Sequence, residues 1–169
     1  MERNIILIGM PGVGKSSIGV VLAKVMGMAF IDSDIVIQQE TGRTLKELIL
    51  ELGTDGFLAL EDRINAGIDA KNAVIATGGS AVFGENAMRH FKETGIIVYL
   101  AADYENLMGR FSDLDDRGVV HEEGQTLKDV YDARCRLYEK FADVTVRQNE
   151  PELRIDEAIR EIVSSISDR

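Results

Sequence analysis

Gly9-Met10-Pro11-Gly12-Val13-Gly14-Lys15-Ser16 is the stretch that decides how this chain folds. Its spacing, G-x-x-x-x-G-K-[ST], is that of a loop that cradles phosphate. The glycines permit a turn whose backbone N–H groups point inward. A helix starting at the loop adds its own unpaired N–H groups and the positive end of its dipole. Lys15 brings a point charge to the β- and γ-phosphates, and Ser16 places a hydroxyl where Mg²⁺ takes an oxygen ligand. The flanks fit. Residues 4–8 (NIILI) read as a buried strand, and residues 15–26 turn helical, with Ile18, Val21, Leu22 and Val25 at i, i+3, i+4 and i+7. Strand, loop and helix together predict that Gly12, Val13, Gly14, Lys15, Ser16 and Ser17 hold the phosphates of ATP or GTP.

Outward from this loop, strand-like and helix-like segments alternate, the mark of an α/β domain. Residues 29–32 read as a second strand and 35–40 as a helical turn stopped by Gly42. Thr44-Leu45-Lys46-Glu47 is a capping box opening a helix, with Leu45, Leu48 and Ile49 on one side. A longer helix is expected over 54–70, a strand over 73–76, and a tight loop at Thr77-Gly78-Gly79-Ser80. Then come a helix at 85–93, a central strand at 96–100, and a helix at 104–111. Residues 112–124 are polar and aperiodic, as lids often are. A helix over 126–141, a strand over 144–146 and a terminal helix over 153–167 complete the chain, the last with Ile155, Ile159, Ile162 and Ile166 on one face. About five strands separated by helices predict one parallel sheet covered on both faces. No repeat or linker interrupts it, so residues 1–169 are expected to form one domain.

The composition agrees with a globular protein: 169 residues, 45% hydrophobic and 28% charged. A net charge of −10 argues against a nucleic-acid surface. It does not argue against a nucleotide site, where backbone N–H groups and one lysine bind the phosphate. The single cysteine, Cys135, allows no intrachain disulfide and makes a structural zinc site improbable. The N-terminal apolar run is too short for a signal peptide or membrane span, so a cytoplasmic protein without membrane, nucleic-acid or obligate protein partners is expected.

Two further clusters carry chemistry. Asp32 and Asp34 leave a strand end on the same side. One could hold Mg²⁺ or its water shell while the other accepts and deprotonates a substrate hydroxyl; the plain alternative is that Asp34 caps the next helix and Asp32 is solvated. Gly78 and Gly79 follow a strand and let a ligand approach the backbone closely, or else simply make a turn. Arg117, in the lid stretch, could close over a transferring phosphoryl group, or be one more solvated charge.

Together these residues give the chain a resemblance to the shikimate kinase family from end to end. It rests on the 9–16 loop, on Phe30-x-Asp32-x-Asp34, on the Gly78-Gly79 pair and on an arginine-bearing lid. The resemblance implies phosphoryl transfer from ATP to the hydroxyl of a small metabolite, as in aromatic amino acid biosynthesis. It also implies a three-layer sandwich with a five-stranded sheet of order 2-3-1-4-5, acceptor-binding helices at about 33–61 and a mobile lid at about 112–124. Carried over, Lys15 binds phosphate, Ser16 binds Mg²⁺ and Asp32 acts on it through water. Asp34 activates the acceptor hydroxyl, Gly78 and Gly79 contact the acceptor, and Arg117 is the lid arginine. Arg110 flanks the adenine, with Pro151 as a weaker match beside it. Arg134, in Arg134-Cys135-Arg136-Leu137-Tyr138, binds the acceptor carboxylate; Arg136 competes for that role.

The departures lie on the acceptor side. The family's F-R-x-x-E element reads Phe57-Leu58-Ala59-Leu60-Glu61, so Leu58 stands where an arginine would share the carboxylate. The third glycine is Ser80, and the lid reads Arg117-Gly118-Val119-Val120. A lost charge-assisted hydrogen bond corresponds to about 1.5–3 kcal/mol. Three readings follow: a shikimate kinase that tolerates Leu58, a kinase of the same architecture for another hydroxylated metabolite, or a nucleotide-binding module without efficient transfer.

Overall fold

The structure, a computed structural model, describes residues 3–108, 120–121, 124–148 and 154–167. Strand β1 (Asn4–Ile8) and helix α1 (Lys15–Met26) flank the glycine loop. Then follow β2 (Ala29–Asp32), α2 (Ser33–Thr41), α3 (Leu45–Ala66) and β3 (Ala73–Ala76). A 3-10 turn (Ala81–Phe83) leads to α4 (Glu85–Thr94) and β4 (Gly95–Ala101). The chain continues through α5 (Tyr104–Met108), α6 (Leu127–Phe141), β5 (Val144–Arg147) and α7 (Ile155–Ser167).

The five strands form one parallel sheet of order β2-β3-β1-β4-β5. Strands β1 and β3 are buried at every position, which requires cover on both faces and explains their unbroken apolar sequences. Edge strand β5 alternates buried and exposed. In register, Leu7 and Asp32 both pair with Ala76, so β1, β2 and β3 end level. Thr77 ties the loop after β3 to β1, donating to the Leu7 carbonyl through its N–H (3.1 Å) and its hydroxyl (3.0 Å). The loops after these three strands therefore open side by side at the carboxyl edge, where sheets of this kind bind ligands.

The helices differ in detail from the expectation. The buried face of α1 is Ile18, Gly19, Leu22 and Ala23, while Val21 and Val25 are exposed at 38% and 60%. Gly19 decides this: a Cβ there would stand 2.7 Å from the Phe30 ring, so its missing side chain lets α1 settle on β2. Helix α2 begins at Ser33 rather than 35, because the Asp32 carboxylate caps it by accepting from the Asp34 N–H at 3.0 Å. Asp32, not Asp34, is thus the cap. Helix α3 breaks at Gly53 (φ 70°, ψ 179°) into two segments, as the sequence suggested. Its second segment ends at Ala66 instead of 70, with Gly67 as its C-cap.

Besides the main core around the sheet, a second apolar cluster joins Ile37, Leu48, Phe57, Ile64 and Val120. It holds α2 and α3 together beside the cleft. Among the described residues no helix is long and apolar enough to cross a membrane.

Candidate functional site

The glycine loop takes the backbone form its sequence demands. Gly9, Gly12 and Gly14 have φ of 146°, 77° and 100°, a region that side chains with a Cβ avoid. Gly14 is the N-cap of α1 and offers no side chain there, leaving the first N–H groups of the helix facing the cleft. Lys15 is 8% exposed. Its Nζ donates to the Gly9 carbonyl at 2.7 Å and to that of Met10 at 2.9 Å. Burial lowers its pKa to about 8, although Asp34, Asp32 and Glu61 pull the other way.

Gly12, Gly14, Lys15, Ser16 and Ser17 line a cavity of about 550 Å³. Val13 does not: its side chain is fully buried in the main core and its N–H bonds the Met10 carbonyl at 3.3 Å. Ser16 donates its hydroxyl to Asp32 Oδ2 at 2.6 Å. A hydroxyl and a carboxylate so paired are hard oxygen donors of the kind Mg²⁺ takes alongside water, so these residues fit the metal.

Asp34 and the Gly78-Gly79 pair line the same cavity from the next two loops. Asp34 is half-buried. Burial raises its pKa, Asp32 adds to the rise and Lys15 opposes it. The glycines serve close approach rather than an unusual backbone. A Cβ on Gly78 would stand 2.5 Å from Glu61 Oε1 and 2.8 Å from Asp34 Oδ1. One on Gly79 would stand 2.6 Å from Pro11 Cδ and 2.9 Å from Arg134 Nη1.

Of the two arginines of α6, Arg134 is the one that faces the cavity. It is 2% exposed and lines the cavity, whereas Arg136 is exposed on the other side of α6. Its Nη2 donates to the Val120 carbonyl at 2.5 Å, and its buried Nε has no hydrogen-bond partner. Tyr138, one turn on, donates to the Gly79 carbonyl at 2.6 Å and fixes that loop against α6.

The sequence alone assigned no role to Tyr138 or Glu61. The signals were there: Val130, Arg134 and Tyr138 recur at i, i+4 and i+8, all buried, and Glu61 is a carboxylate within the buried stripe of α3. Leu58 faces a neighbouring cavity of about 200 Å³, which shares Val120 and Arg134 with the main one. Arg110, Arg117, Gly118, Val119 and Pro151 lie outside the described residues, as does most of the expected lid.

The chain as a whole is similar to known proteins. A model of the family described as shikimate kinase matches residues 11–167. A shikimate kinase of Rhizobium leguminosarum bv. trifolii is 36% identical over 97% of this chain and 86% of its own length. One from Pasteurella multocida is 35% identical over 91% of this chain and 90% of its own. Among solved structures, shikimate kinase from Acinetobacter baumannii in complex with shikimate superposes with a TM-score of 0.89 at 30% identity, over 99% of this chain and 94% of that one.

Proposed function

The chain belongs to the shikimate kinase family, and from that premise we propose how its own residues divide the transfer of a phosphoryl group from ATP to a hydroxyl of shikimate. The observation that carries the proposal is one cavity lined at once by Lys15, Asp34 and the buried Arg134. It sets a phosphate cradle, a carboxylate and a guanidinium around a space for a small hydroxylated acid.

The N–H groups of Gly12, Gly14, Lys15, Ser16 and Ser17 receive phosphate oxygens at the start of α1. Lys15 turns from the loop carbonyls to the transferring group, whose negative charge offsets the burial that lowers its pKa. Ser16 and Asp32 would hold Mg²⁺, which when bound offsets charge on the phosphates. Asp34 orients the acceptor hydroxyl and takes its proton as the new O–P bond forms. Gly78 and Gly79 keep the floor of the site low, so the ring of the acceptor reaches Asp34. Arg134, buried in the wall of the cavity, takes the carboxylate of the acceptor through a charge-assisted pair. Arg117, closing over the phosphoryl group, and Arg110, beside the adenine, belong to the proposal on family resemblance. The same reading places the enzyme in the cytoplasm and treats residues 1–169 as one unit.

Among the described residues Arg134 is the one guanidinium lining the cavity. The proposal therefore requires it to bind the carboxylate without help from position 58. The test is ADP release with shikimate as acceptor. Wild type should release ADP only when shikimate is present. Arg134→Met should raise KM for shikimate about 10- to 150-fold, the worth of one charge-assisted bond, and leave KM for ATP unchanged. Leu58→Arg should lower KM for shikimate. No stimulation by shikimate, or an Arg134→Met variant with ordinary KM, would overturn the assignment.

A further inference from the structure

Glu61 is a carboxyl group the proposed transfer does not use, yet it is 2% exposed and lines the acceptor end of the cavity. It accepts a hydrogen bond from the Ser80 hydroxyl at 2.6 Å. Ser80, itself 5% exposed, lines the same cavity from the loop after β3. Three residues before Glu61 on α3, where a side chain could reach it along the helix, stands apolar Leu58. Support for the carboxyl comes instead from across the fold.

Three charged groups act on Glu61. Asp34 of α2 is its neighbour over Gly78. Arg134 of α6 and Lys15 of α1 attract its anion. Gly78 and Gly79 are adjacent in the chain, and their α-carbons face Glu61 Oε1 and Arg134 Nη1 respectively. The carboxyl and the guanidinium therefore flank one point of the loop. A negative Glu61 there competes with an acceptor carboxylate for the field of Arg134; a neutral one leaves that field to the acceptor.

Resting on the acceptor reading above, we propose that Ser80 is a specificity-determining positioning residue, whose hydroxyl holds Glu61 beside Arg134 so that the charge on Glu61 sets the affinity for an anionic acceptor. Burial raises Glu61 to about 7, Asp34 adds to the rise, and the Ser80 hydroxyl lowers it by favouring the anion. Removing that hydroxyl moves the titration to higher pH, and with it the pH at which the acceptor begins to bind weakly.

The experiment has two arms. Carbon-13 NMR of the side-chain carboxyl in wild type, Ser80→Ala and Ser80→Thr follows Glu61 directly, without acceptor. Steady-state kinetics from pH 5.5 to 8.5 follow KM for shikimate and for its uncharged methyl ester. Glu61 should titrate near neutrality in wild type and Ser80→Thr and higher in Ser80→Ala. KM for shikimate should rise about tenfold across that titration, shifted upward in Ser80→Ala and absent in Glu61→Gln. KM for the methyl ester should stay flat, and kcat should move far less than KM. An unshifted Glu61 titration in Ser80→Ala, or the same KM profile for acid and ester, overturns the inference while leaving shikimate turnover intact. A wild type that does not turn over shikimate at any pH overturns the acceptor reading, and this inference with it.

Discussion

Replacing Gly78 by alanine adds one methyl group where the cleft has no room for it. The backbone at Gly78 is not left-handed, so alanine brings no torsional strain and any effect comes from space. The new Cβ would stand 2.5 Å from Glu61 Oε1 and 2.8 Å from Asp34 Oδ1. Carbon–oxygen contacts relax at about 3.3 Å or more, so each carboxylate must retreat by roughly 0.5–0.8 Å. Neither retreats freely: Glu61 is buried against Ser80, and Asp34 sits in the first turn of a helix whose cap also binds Ser16. A displacement of that order at a group that orients the nucleophile corresponds to about 100-fold in rate, or about 2.7 kcal/mol. The overpacking itself should cost about 1–3 kcal/mol of stability, at about 2–4 °C in Tm for each kcal/mol. ADP-release kinetics with both substrates varied, together with a thermal melt, separate the two effects. The expected result is a folded variant whose kcat/KM for shikimate falls about 100-fold while KM for ATP stays within about twofold. Turnover within about threefold of wild type, with unchanged Tm, would refute the claim that this glycine exists to admit the two carboxylates.

Three further outcomes follow from single contacts. Tyr138→Phe removes the donor to the Gly79 carbonyl and should lower stability by about 1–3 kcal/mol, read by denaturant titration, with a raised KM for shikimate as the loop loosens. Ser16→Ala and Asp32→Asn should each raise the Mg²⁺ concentration needed for half-maximal activity, measured by titrating the metal at fixed ATP. Glu61 keeps its proton in the folded chain up to about 7, whereas the unfolded chain loses it near 4.5. The folded state then binds more protons in that window, so stability should fall by up to about 3 kcal/mol as pH rises through it. Glu61→Gln, which cannot ionise, should flatten this part of the pH–stability curve, and an unchanged curve would count against the buried titration.

Much of the site could be read in the chain because its chemistry is local. The glycine loop is eight consecutive residues, and its turn and helix start follow from glycine conformations and unpaired N–H groups that any such stretch would have. Strands β1 and β3 were equally plain, since buried parallel strands carry unbroken apolar runs. Other expectations depended on what each face meets. The apolar periodicity of α1 nominated Val21 and Val25, but the missing side chain of Gly19 turned the helix toward Phe30 and left both valines exposed.

The cradle, the parallel sheet and a carboxylate pair at the end of β2 were legible along the chain, because backbone hydrogen bonding and hydrophobic periodicity are set by near neighbours. Partnership between residues distant in the chain came only with the fold. Asp32 met the Ser16 hydroxyl sixteen positions away, Arg134 rather than Arg136 faced inward, and Glu61 found Ser80 nineteen positions away. Those pairings depend on which loops the strand order brings to the same edge and which helix face the core removes from water. No local pattern specifies them.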